Sequence, residues 1–78
     1  KEYIIKERER ITKEFEEYAY PSHTNFILLD LDAYDYLRKR SILVRKMKGR
    51  LEGMIRVTVG TKEENDILIS ALKEFIGD

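Results

Sequence analysis

The chain has 78 residues, no cysteine, one histidine, and 15 basic against 15 acidic residues. A chain of this length forms one small domain with a marginal core, so a large substrate cavity within it is not expected. The residue counts exclude a thiolate or histidine-cluster metal site, and the zero formal net charge gives no overall attraction to nucleic acid or anionic lipid.

The first predicted elements are a helix, a strand and a second helix. Apolar residues recur at helical spacing through residues 1–18, which predicts an amphipathic helix, and Pro21 in the turn sequence YPSHTN ends it. The segment NFILLDL predicts a strand that is apolar on both faces. Asp32 is the expected N-cap of a short helix over about residues 33–40.

Two strands and a third helix follow. The segments ILVRKM and MIRVTVG predict strands joined by the six-residue loop KGRLEG, residues 48–53. Thr61 and Glu64 form a capping box before a continuous apolar stripe, and Gly77 suits the end of that helix. The order α-β-α-β-β-α predicts an α+β fold: a small three-stranded mixed sheet, its third strand in the middle, with the helices on one face.

Each of the last two strands carries one arginine among aliphatic residues. A six-residue loop places Met47 opposite Met54 and Arg45 opposite Arg56, on the face that points away from the helices. Two guanidinium groups on side chains rooted roughly 5 Å apart repel each other unless an anion lies between them. Because arginine forks match carboxylate and phosphate oxygens, we predict an anion-binding pair; solvated arginines, or pairing with Asp30, are the alternative.

The same face carries an apolar patch that another domain or subunit is expected to cover, because a single-layer sheet should not leave it in water. Its residues are Phe26, Leu28, Leu43, Met47 and Met54.

The segments YPSHTNFILLDL and RSILVRKMKGRLEGMIRVTVGTKEENDILISAL, in this order and spacing, resemble the carboxy-terminal small domain of histidinol-phosphate aminotransferase, a fold-type I pyridoxal-phosphate enzyme. The resemblance runs from about Tyr20 to Leu72. It implies that all 78 residues form a small domain of a longer protein whose large, cofactor-binding domain is absent here. It also implies that Arg56 binds the substrate carboxylate or phosphate with help from Arg45. Family members often have glycine where this chain has Ser41.

The resemblance implies a full-length, cytoplasmic, homodimeric aminotransferase of histidine biosynthesis, which exchanges an amino group between histidinol phosphate and 2-oxoglutarate, the keto form of glutamate. Pyridoxal phosphate would form a Schiff base with a lysine of the large domain, so no residue of this chain is expected to be catalytic or to bind the cofactor, and the fragment alone should be inactive. A Schiff-base lysine needs a desolvated pocket, whereas the lysines here lie in polar surroundings. They are Lys1, Lys6, Lys13, Lys39, Lys46, Lys48, Lys62 and Lys73.

Other features have plainer interpretations. No apolar run approaches the roughly 20 residues that span a bilayer, and no signal peptide opens the chain, so a soluble protein without a membrane partner is expected. The basic run RKMKGR is short and lacks stacking aromatics, which favours a solvated hairpin over a nucleic-acid patch. His23 is interpreted as a solvated loop residue, and Tyr34 and Tyr36 as packing residues.

Two other functions stay open at this point. Threonine-phosphate decarboxylase, of the same fold type, also recognises a phosphorylated substrate, and a small domain cannot separate the two chemistries. The order β-α-β-β-α lacks only one strand of a ferredoxin-like module, so a free-standing regulatory domain that binds a small anion is the other possibility.

Overall fold

The computed structural model describes residues 2–77, and the predicted start of the first helix at Lys1 lies outside them. The predicted element order is confirmed. In chain order the elements are α1 (Glu2–Glu14), β1 (Phe26–Leu29), α2 (Tyr34–Lys39), β2 (Arg45–Lys46), a 3-10 turn (Gly49–Leu51), β3 (Ile55–Thr58) and α3 (Lys62–Ile76).

The three strands form one sheet in the order β1-β3-β2, so the prediction that the third strand lies in the middle is confirmed. The sheet is not mixed, however, because β3 runs antiparallel to both of its neighbours. The strands β1 and β2 point the same way, but they are separated by β3 and share no ladder. The crossover from β1 to β2 makes these two strands parallel, as predicted. Because β3 lies between them, every hydrogen-bonded pair in the sheet is antiparallel.

The core lies between the sheet and the three helices. Alternate residues of β1 and β3 point into it, as a period of two requires. The helix α1 packs against β1 and α3, and α2 packs against α3. The largest fully buried side chains are Ile11, Phe15, Ile27, Leu29, Leu37, Ile55, Val57, Asn65 and Leu72.

The first helix is shorter than predicted, ending at Glu14 rather than near Tyr18. The chain turns at Phe15 and then runs beside β1, where Ala19 forms an isolated bridge with Leu29. The Tyr18 carbonyl accepts a hydrogen bond from the Asp30 amide at 2.9 Å, which a continued helix would prevent. Pairing with β1 therefore ends the helix before Pro21 is reached.

The start of α2 also differs from the prediction, because Asp32 is not its N-cap. The cap position is Ala33, and no side chain caps the helix there. Ala33 is fully buried, as is Leu37 one turn later. Burial of these two apolar residues sets the start of this six-residue helix in place of a side-chain hydrogen bond.

The end of α2 shortens the strand that follows it. Ser41 adopts a left-handed conformation with φ of 63°. Its amide donates to the Arg38 carbonyl at 2.9 Å, and the Ile42 amide donates to the Leu37 carbonyl at 2.9 Å, which is a Schellman motif. These bonds hold the chain at Ile42 against α2, so pairing with β3 begins only at Arg45 instead of at Ile42 as predicted.

The predicted boundaries of α3 are confirmed. The Thr61 hydroxyl accepts a hydrogen bond from the Glu64 amide, and the Glu64 carboxylate accepts one from the Thr61 amide. Gly77 ends the helix in the left-handed region, with φ of 100°. Gly60 leaves room for this cap, since a Cβ atom there would lie 2.3 Å from the Glu64 Oε1 atom.

A buried polar network joins α1 to the turn after β3. Asn65, only 1% exposed, accepts a hydrogen bond from the Gly60 amide at 2.9 Å and donates to the Glu7 carboxylate at 2.9 Å. Arg10 donates to the same Glu7 oxygen at 2.8 Å and also pairs with Asp66 at 2.8 Å. Hydrogen bonds from Arg10 and then Asn65 lower the pKa of Glu7. The turn that follows β3 is thereby fixed to α1.

Candidate anion-binding site

The two predicted site arginines face each other across the β2–β3 ladder. Their Cα atoms are paired in the antiparallel register, with Lys46 opposite Ile55 next to them. Residues directly opposite in such a ladder point to the same side of the sheet. Ile55 and Val57, which flank Arg56, are 1% exposed and point into the core, so the two arginines point away from the helices. The register and the orientation are confirmed.

The loop between the strands sets this register. The Met47 amide donates to the Met54 carbonyl at 3.1 Å, so these two residues close the six-residue loop that the sequence predicts. Gly49 and Gly53 near its two ends have φ of 67° and 92°, a region that residues with a Cβ atom rarely adopt. A 3-10 turn, Gly49–Leu51, forms the middle of the loop. A loop of one residue more or fewer would shift the ladder and separate Arg45 from Arg56.

Neither arginine is neutralised by the described part of the chain. Within residues 2–77 no carboxylate forms an ion pair with Arg45 or Arg56, and the exposed side chain of Asp30 pairs with neither. The carboxylate-paired alternative is therefore not adopted here. Two facing positive charges without a negative neighbour form a surface that an anion would stabilise.

The two arginines differ in how they are held. Arg56 is half-buried, and its guanidinium carbon lies 4.2 Å from the centre of the Phe26 ring. Arg45 is exposed on the two-residue strand β2, at the edge of the sheet. The sequence alone predicts Phe26 only as a member of the apolar patch and gives no indication of this stack. Leu28 pairs with Arg56, and Phe26 lies two positions before Leu28 on the same face of β1. Knowledge of the β1–β3 register would therefore have predicted the contact.

Four members of the apolar patch lie beside the arginines on the open face of the sheet, and the fifth, Leu43, lies in the segment before β2. Leu43 is 90% exposed, and the other four members are half-buried. No helix of the described chain covers this face, since α1, α2 and α3 lie on the other side. Coverage by another domain or subunit stays a prediction.

The remaining polar candidates lie at the surface. Of the lysines between residues 2 and 77, Lys73 is half-buried and pairs with Glu14 at 2.7 Å, while the others are exposed. His23 is exposed in its loop, and Tyr34 and Tyr36 pack against the core, as interpreted from the sequence. The described segment contains no acidic or histidine cluster that could hold a metal ion, and none of its helices is long and apolar enough to cross a membrane.

Comparison with known proteins gives relatives over almost the whole chain, although no protein-family model matches it. The histidinol-phosphate aminotransferase of Pyrococcus furiosus is 68% identical over 94% of this chain and 22% of its own length. Proteins of the same name from Thermococcus gammatolerans and Thermococcus kodakarensis are 54% and 49% identical, over 95% and 92% of this chain and 22% and 21% of their own lengths.

A solved structure supports the same relationship. A Burkholderia pseudomallei protein provisionally assigned as an aminotransferase superimposes with a TM-score of 0.82 and 29% identity, over 94% of this chain and 25% of that one. The comparisons of sequence and of fold thus agree that the relatives are aminotransferases. The chain is homologous to histidinol-phosphate aminotransferases over 94% of its own length, and it spans 22% of the length of the Pyrococcus furiosus relative.

Proposed function

We propose that this chain is the carboxy-terminal small domain of a pyridoxal-phosphate-dependent aminotransferase that acts on histidinol phosphate and 2-oxoglutarate, and that Arg45 and Arg56 bind the anionic group of the substrate. The names of the relatives support the reaction, and their greater lengths support a larger protein. The observation that carries the binding role is the facing arginine pair, which has no carboxylate partner within residues 2–77.

The arginine pair would position the substrate rather than react with it. Each guanidinium can donate two parallel hydrogen bonds to the oxygens of a carboxylate or a phosphate. Arg56, on the central strand, would bind the anionic group of either substrate, and Arg45 would add a second fork where oxygens remain. Holding the anionic end fixes the reacting carbon relative to the cofactor, which is a large part of catalysis in a two-substrate reaction.

The cofactor does not fit the residues described here. A lysine that forms a Schiff base needs a desolvated pocket, and Lys73, the most buried of the described lysines, is already paired with Glu14. We therefore place pyridoxal phosphate, which supplies the electron sink for amino transfer, on the part of the protein outside this chain. A homodimeric state and a cytoplasmic location are further parts of the proposal, drawn from the resemblance.

The other two functions receive less support. A free-standing regulatory module would have relatives of about its own length, whereas this chain covers 22% of the Pyrococcus furiosus protein. A decarboxylase small domain would use the same arginine pair, so the choice rests on the names of the relatives. Turnover of histidinol phosphate with 2-oxoglutarate by the full-length protein decides between the two reactions.

The binding role is tested by Arg56→Ala and Arg45→Ala in the full-length protein. Loss of a charged partner from a desolvated anion costs about 2–5 kcal/mol, so Arg56→Ala should lower kcat/KM about a hundredfold or more for both histidinol phosphate and glutamate. Arg45→Ala should lower kcat/KM less than Arg56→Ala does. Its effect should be larger for the phosphate substrate than for the carboxylate substrate, because a dianion has oxygens left for a second fork.

Arg38→Ala is the matched control, because Arg38 is an exposed arginine on α2, which packs on the opposite side of the sheet. It should leave kcat/KM unchanged. A thermal melt of each variant separates binding from folding, and both site variants should stay folded at the assay temperature, since each removes one of two facing like charges. An Arg56→Ala protein with undiminished kcat/KM for both substrates would show that the arginine pair has only a structural role.

A further inference from the structure

We infer that Phe26 is a positioning residue, which holds the Arg56 guanidinium in the orientation that binds the substrate anion. This inference rests on the proposed function of Arg56 and adds to it a residue that does not itself donate to the anion. The observation behind it is the stack of the guanidinium on the Phe26 ring, 4.2 Å from its centre.

The sheet register produces this contact. Phe26 pairs with Thr58 and Leu28 pairs with Arg56, so Phe26 and Arg56 lie diagonally across β1 and β3 on the open face. Diagonal neighbours on adjacent strands are within reach of aromatic and long side chains. Both strands lie in the paired part of the sheet, and β3 has a neighbour on each side. The stack therefore joins two residues whose backbones are both held by the β1–β3 ladder.

Stacking on a ring holds an arginine without occupying its hydrogen-bond donors. A phenyl ring has no oxygen or nitrogen acceptor, so a guanidinium over it is held without any of its five N–H groups being paired to an acceptor atom by that contact. A carboxylate partner would also orient Arg56, but it would compete with the substrate for the same donors. The negative face of the ring also offsets part of the repulsion from Arg45. An arginine already ordered in this way loses less conformational entropy when the anion binds.

A second arginine, Arg40, also stacks on an aromatic ring, and its contacts are those of an arginine with a structural role only. The Arg40 guanidinium lies 3.5 Å from the centre of the Tyr36 ring. It also pairs with Glu74 at 3.7 Å and donates to the Tyr36 carbonyl at 3.1 Å, so its donors are used inside the protein. Within residues 2–77 the donors of Arg56 have no such partner. Of these two stacked arginines, Arg56 is therefore the one whose donors stay available to a ligand.

The test uses three variants of the full-length protein with histidinol phosphate as the varied substrate. Phe26→Leu removes the ring and keeps an apolar side chain, Phe26→Tyr keeps the ring, and the double variant combines Phe26→Leu with Arg56→Ala. We expect Phe26→Leu to raise KM about three- to tenfold with little change in kcat, because the interaction lost is present in both bound substrate and transition state. Phe26→Tyr, which keeps the ring, should have the same KM as the unmodified protein.

The double variant separates positioning from structure. If Phe26 acts through Arg56, then Phe26→Leu has no further effect once Arg56 is alanine. An equal loss in both backgrounds, or an unchanged KM in Phe26→Leu, would overturn the inference. If Phe26→Leu lowers Tm below the assay temperature, Phe26→Met replaces it, and Phe26→Tyr remains the ring-bearing comparison. A loss in Arg56→Ala with none in Phe26→Leu would reject this inference alone, whereas an unaffected Arg56→Ala would reject the proposed function.

Discussion

Replacement of Ser41 by glycine should stabilise the isolated chain. Ser41 has φ of 63°, where a residue with a Cβ atom is strained by about 1–2 kcal/mol and glycine is not. Glycine also gives the unfolded chain more freedom, which offsets about 0.5–1 kcal/mol of that gain. The structure itself need not change, because the two Schellman hydrogen bonds use backbone atoms only. The net gain is then about 0.5–1 kcal/mol, or about 2–8 °C in Tm for a domain of this size.

Thermal unfolding followed by circular dichroism measures this change, with Ser70→Gly as the matched control. Ser70 is exposed in the middle of α3, where the backbone is helical, so the same chemical change should there destabilise by about 0.5 kcal/mol. Opposite signs at the two positions are the expected result. A lower Tm for Ser41→Gly than for the unmodified chain would mean that the serine side chain, and not the backbone motif, holds the end of α2.

Two further predictions concern the acidic network and the lysines. Because hydrogen bonds from Arg10 and Asn65 lower the pKa of Glu7 from its ordinary value of 4.5, its contribution to stability is present above that pH and is lost as the pH falls through the lowered pKa. Urea titrations should therefore show Glu7→Gln to be less stable by about 1 kcal/mol at neutral pH, with the difference shrinking as the pH falls below 4.5. A difference that is independent of pH would contradict this. Mixing the isolated chain with pyridoxal phosphate and then borohydride should give no adduct at one specific lysine, and a single trapped lysine found by mass spectrometry would place the cofactor site in this chain.

The features of the site that the sequence predicts correctly are those set by local geometry. The alternation of aliphatic and polar residues fixes which side of each strand is buried, and the length of the loop fixes which residues are opposite. These two facts are enough to pair Arg45 with Arg56 and to direct both away from the helices. The capping box at Thr61 and the left-handed Gly77 are local in the same sense.

The features that it does not predict depend on contacts between distant segments. The end of α1 is set by pairing of Ala19 with Leu29, and the start of α2 by burial of Ala33. The stack of Arg56 on Phe26 requires the β1–β3 register, which no short loop determines. The arginine pair was therefore predictable, but the residue that orders one member of it was not.

The difference in backbone support between the two arginines suits a site for two anions of unequal size. Arg56 lies on the central strand, has paired neighbours on both sides and rests on an aromatic ring. Arg45 lies at the edge, on a strand of two residues between the Schellman motif at Ser41 and the glycine-bounded loop. Under the proposed function, the ordered arginine would bind the anionic group common to both substrates, and the exposed edge arginine would adjust its side chain to a carboxylate or a phosphate. The proposal thus predicts one rigid and one adaptable fork from a single pair of opposed residues.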